Sequence, residues 1–101
     1  MEGQPEIGDE VKEKYESYLE KYRDSGKGLL KRDLDLVLGL MNIPQTVLDM
    51  SRDPEKRAEA NREYREYAVK SDIMLAVQYE LAGQAGERDN MLMTAQERMD
   101  S

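Results

Sequence analysis

The chain has 101 residues, enough for one domain with an adequate but not generous core. It contains no Cys and no His, which excludes disulfides, Cys- or His-ligated metal centres, and Ser-His-Asp or Cys-His catalysis. The net charge of −7 sits at the ends: residues 1–24 hold eight acids and four bases, residues 25–79 nine of each, and residues 80–101 five acids and two bases.

That distribution disfavours nonspecific binding to nucleic acid or anionic membrane and favours solubility or a basic partner. No apolar run approaches the roughly 18 residues of a membrane span, and the N-terminal stretch is acidic, unlike a signal peptide. A soluble, cytoplasmic protein is expected. With no Trp, no Phe and six Tyr, its core should be aliphatic and Met-rich.

Residues 1–8 (MEGQPEIG) carry Gly, Pro and Gly and read as a flexible arm, with Ile7 placed to staple onto the first helix. Asp9 fits an N-cap. Val11, Tyr15, Tyr18, Leu19 and Tyr22 then follow at helical steps, with Glu and Lys on the other faces. The helix should end at DSGKG, where Gly26 and Gly28 can supply a positive φ.

LLKRDLDLVLGLM repeats the spacing through Leu30, Leu34, Val37, Leu38 and Met41, and adds Leu29, Leu36 and Leu40 on a second face. A helix apolar on two sides is central in its fold or shared with another chain. Asn42 and Pro44 break it, Asn42 tolerating the left-handed conformation and Pro44 restarting a short helix, PQTVLDMS, with Val47 and Leu48 inward.

Asp53 and Pro54 form a strong helix start. Residues 55–66 are mostly charged, with Arg62–Glu66 and Glu59–Arg62 at pairing distance and a narrow seam of Ala60, Tyr64, Tyr67 and Ala68. The stretch SDIMLAVQYELAG alternates like a strand through Ile73, Leu75, Val77, Tyr79 and Leu81. A strand needs a partner, and no second candidate of similar quality exists, so its backbone groups would go unsatisfied. The spacing therefore predicts one long helix over about 54–82, with Gly83 ending it. Beyond it, MLMTAQERM predicts one or two turns, with Asp89 or Asn90 as cap, and Met91, Leu92 and Met93 form an apolar cluster suited to a varied partner.

Three motifs are weighed against plain packing. SGKGLLKR has a Gly-Lys-Gly but no preceding strand, no first glycine at the Walker spacing, and Gly28 where Ser or Thr belongs. The same region resembles a degenerate EF-hand, yet Arg23, Ser25 and Lys27 flank the loop and Leu34 stands at its last ligand position, so no calcium site is expected. LDLVLGLMNIPQTVLDMSRD resembles a helix-turn-helix in which Gln45, Thr46, Asp49 and Arg52 would be the DNA-reading residues. Leu38 at the position of a small residue, and Arg52 as the sole cation, depart from that pattern. Asp33 and Asp35 are two apart on a helix and do not face each other as an acid-base pair would.

The reading is an all-α fold, a small bundle of four to five helices with a long C-terminal helix: arm 1–8, bundle 9–83, and a loosely ordered or short helical tail 84–101. The expected function is a non-enzymatic protein-binding module, an adaptor, inhibitor or assembly factor. It would act through Leu29, Leu36, Leu40, Met91, Leu92 and Met93, as a homodimer or hetero-complex, with acidic ends suited to a basic partner surface. No catalytic residue, cofactor or metal is assigned. The alternative is a dimeric helix-turn-helix regulator.

Overall fold

The structure, a computed structural model, describes residues 7–25 and 27–100. Among them are five α-helices and no strand: α1 (Asp9–Ser25), α2 (Lys27–Leu40), α3 (Asn42–Met50), α4 (Pro54–Leu81) and α5 (Ala85–Asp100). The fold is a small all-α bundle. At 1.5 Å per residue the 28 residues of α4 span about 42 Å, close to the 44 Å long dimension of a molecule only 18 Å thick. The other four helices all pack on α4.

The alternation in SDIMLAVQYELAG resolves into two helical stripes. Val69, Ile73 and Ala76 face one cluster, completed by Val11 of α1 and by Leu92 and Ala95 of α5. Met74 and Val77 face a second cluster with Tyr22 of α1 and Leu30, Leu34 and Val37 of α2. Tyr15 and Tyr18 pack against both, so α1 straddles the two. Neighbouring residues such as Ile73 and Met74 are both buried because each belongs to a different stripe.

The ends of α4 follow the expected chemistry. The Asp53 carboxylate accepts from the Glu55 N–H at 3.0 Å, and Pro54 opens the helix. At the other end Gly83 has φ +79°, its N–H donates to the Glu80 carbonyl and the Gln84 N–H to that of Tyr79, a Schellman closure.

Several expectations are corrected. Residues 85–100 are not a loose tail or a turn or two but a 16-residue helix against α4. Its anchors are Leu92 and the fully buried Ala95, and Gln84 supplies the first helical carbonyl, accepting from Arg88 at 3.0 Å. Gly28 lies within the first turn of α2 and does not terminate α1, because only residue 26 separates the two helices; Gly26 and residues 1–6 of the arm lie outside the described residues. Helical bonding in α1 begins at the Gly8 carbonyl, one residue before Asp9. Asn42 is helical and right-handed, so α3 starts two residues ahead of Pro44. Ile7 packs against the α1–α4–α5 cluster as a staple would, and the Gly8 N–H donates to Gln96 Oε1 at 2.6 Å, tying the chain's entry to α5.

Candidate interaction surface

The α2–α3 segment is built to hold its shape. Met41 alone separates the two helices, and with φ −63° and ψ −22° it is itself helical. Its N–H reaches the Val37 carbonyl at 3.1 Å, and its carbonyl accepts from Gln45 at 3.3 Å. Pro44, which is buried, has no N–H to return to Leu40, and this is where the hydrogen-bond ladder is interrupted. The far end of α3 is fixed by Arg57 of α4, whose Nη1 donates to the carbonyls of Leu48 and Ser51. A cation on the last carbonyls of a helix satisfies acceptors that the helix cannot, and it complements the helix dipole.

On this frame Leu36, Ile43 and Met50 stand 63%, 61% and 79% exposed. They are seven residues apart, with half-buried Leu40 and Val47 between them at steps of four and three. Because helical geometry persists through Met41, that spacing sets the five on one side of the segment as an apolar ridge. Leu30, Leu34 and Val37 point the other way, into the core. Leu38, also exposed, lies off the ridge. Asp35 and Asp49 are exposed beside Leu36 and Met50.

The sequence-derived candidates divide accordingly. Leu36 is open, Leu40 is half-buried at the ridge, and Leu29 packs in part against the second cluster. In α5, Leu92 is 4% exposed and Met91 packs against the first cluster, which leaves Met93 as the open member of that trio. Leu92 is therefore a core residue and not a partner contact: α5 forms a full helix whose inner face closes the bundle. Ile43 and Met50 were not singled out from the sequence. The seven-residue repeat from Leu36 was the signal that could have found them.

The helix-turn-helix candidates Gln45, Thr46, Asp49 and Arg52 are all exposed. Gln45 Nε2 donates to Asp49 Oδ1 at 3.0 Å and Thr46 Oγ1 to the Asn42 carbonyl at 2.8 Å, so their polar groups are engaged within α3. A single helical residue between α2 and α3 also differs from the three- or four-residue turn of that motif.

Elsewhere several polar groups are engaged with one another, most of them across helix–helix contacts. Arg98 Nε of α5 meets Asp72 Oδ2 of α4 at 2.6 Å, and Asp72 is only 5% exposed. Burial pushes the Asp72 carboxyl above its usual range, with Arg98 opposing. Tyr22 donates to Asp33 at 2.7 Å, with Lys21 3.5 Å from the same oxygen. The Tyr22 hydrogen bond holds Asp33 below the usual carboxylate range, while burial and the bond itself push the Tyr22 phenol up. Arg88 bridges Glu80 at 2.5 Å and Asp89 at 2.8 Å. Among the described residues no group of three or more acids converges as a metal site would require, and no helix is long and apolar enough to cross a membrane.

No protein-family model matches this chain, and no curated protein or solved structure matches it.

Proposed function

We propose that this protein is a non-enzymatic protein-binding module that docks the α2–α3 ridge on another polypeptide. The observation that carries the reading is the exposure of Leu36, Ile43 and Met50 in register on a segment that stays helical through Met41 and is fixed at its far end by Arg57. Large aliphatic side chains on rigid helices present apolar area without the cost of ordering the backbone, which is what an affinity surface needs. The interhelical contacts Asp72–Arg98 and Tyr22–Asp33 support a structural rather than a chemical use of these polar groups. The partner's complementary surface is an apolar groove with a basic rim facing Asp35 and Asp49. A second copy of the chain is the other occupant such a ridge accepts.

The test compares the parent chain with a Leu36→Asn, Ile43→Asn variant. Light scattering during size exclusion reports self-association, affinity capture from the native host reports hetero-complexes, and circular dichroism reports helicity. The reading expects the parent to form a complex by one of these routes and the variant to lose it with helicity unchanged. A variant that unfolds, or that retains every complex of the parent, contradicts it.

A further inference from the structure

A second surface uses none of the ridge residues. Between α1, α4 and α5 lies a half-open groove of about 380 Å³, with Lys14, Arg62, Arg65 and Lys70 on its walls against one carboxylate, Glu66. Its apolar lining is Tyr67, Val69 and Met99. Four cations against one acid give a local charge of +3 on a chain whose net charge is −7. In a protein with so many carboxylates, cations are easily neutralised by neighbours, yet none of these four is in an ion pair among the described residues. None of the four charges is thus neutralised by a contact, and they stand beside an apolar lining.

We infer that this groove binds a short acidic peptide segment of a partner protein, with carboxylates on Arg62, Arg65, Lys70 and Lys14 and one apolar side chain over the half-buried Tyr67 and Met99. Charge complementarity selects an anion, and the spacing selects a chain of them. Arg62 and Lys70 are eight residues apart on α4, about 12 Å along the helix, farther than one carboxylate reaches and about the length of four extended residues. The exposed walls do not enclose a ligand as a small-molecule site does, where roughly 70–90% of the ligand surface is covered. Arginine adds bidentate geometry suited to carboxylates.

The test is fluorescence anisotropy with a labelled dodecapeptide of repeating Glu-Glu-Leu, titrated with the full chain at low salt. Binding should weaken steeply with added salt, and a Gln-Gln-Leu peptide should not bind. With each exposed ion pair worth roughly 1.4- to 5-fold, the Arg62→Ala, Arg65→Ala variant should bind about 2- to 25-fold more weakly. Glu66→Gln, which removes the one repulsive carboxylate, should bind more tightly. All of these side chains are on the surface, and Glu66→Gln tests for gain, so misfolding cannot imitate the full pattern. The Leu36→Asn, Ile43→Asn variant should bind the peptide as the parent does, which separates this site from the ridge. No binding by the parent, binding indifferent to the arginines, or full displacement of the peptide by decanoate alone would each overturn the assignment.

Discussion

Two apolar stretches of similar appearance, LVLGLMNI in α2–α3 and NMLMTA in α5, end in opposite situations. The second closes the bundle: Leu92 and Ala95 lie against Ile73 and Ala76, and Met91 and Met99 pack beside them. The first turns Val37 inward and leaves Leu36 and Ile43 in solvent. The stripe of α4 formed by Val69, Ile73 and Ala76 is covered internally by α5, together with Val11 of α1. The outer apolar face of α2 and α3 is not covered by any of the described residues. Apolar content thus identifies segments that need a cover, while the reach and length of the neighbouring helix decide whether the cover is internal.

The comparison breaks most severely at Leu92. Leu92→Ala should destabilise the fold by about 2–4 kcal/mol in urea denaturation, since it opens a cavity between α4 and α5. Met93→Ser, one residue away but half in solvent, should cost less than about 1 kcal/mol. Equal costs would mean that α5 does not present the inner face described.

The Asp72–Arg98 pair is the polar clamp between the same helices. Asp72→Ala should cost about 1–3 kcal/mol, toward the low end because the Arg98 side chain is already partly exposed to water.

A smaller effect separates Asp72 from Asp33 by pH. Asp33 is held below its unfolded value, so its contribution is present above about pH 4 and is lost as the pH falls through its folded value. Asp72 is raised, so its contribution has the other sign, fully present below about pH 4 and lost as the pH rises through the folded value. Denaturation midpoints between pH 2.5 and 7 should therefore show Asp33→Asn weakening acid sensitivity and Asp72→Asn strengthening it. Parallel shifts of the two variants would contradict the assigned environments.

The smallest stability change belongs to the ridge. Leu36→Asn and Ile43→Asn should each alter unfolding free energy by no more than about 0.5 kcal/mol, as surface substitutions do.

Much of this was legible in the residues. Asp53, Pro54 and Gly83 bound α4 through local chemistry, and the spacing of Val69, Ile73 and Ala76 marks a helix even inside a strand-like alternation. The full length of the fifth helix was not legible, because one of its two buried anchors is Ala95, a residue whose burial leaves no mark in a hydrophobic pattern. The clamp was hidden as well: Asp72 lies within the apolar half of α4, and its partner comes 26 residues later. Of the ridge, Leu36 and Leu40 stood out by their second-face spacing. Ile43 and Met50 did not, since Asn42 and Pro44 suggested a change of direction where the helical geometry in fact continues.

The most direct measurement places a photo-crosslinking benzoylphenylalanine at position 43 in one full-length chain and at position 93 in another, each irradiated in the native host. Recovery of a defined protein adduct, or of a crosslinked second copy, from position 43 and not from position 93 is the result expected. Adducts from position 93 with none from position 43 would show that the docking surface lies on α5 and that the ridge has no such role.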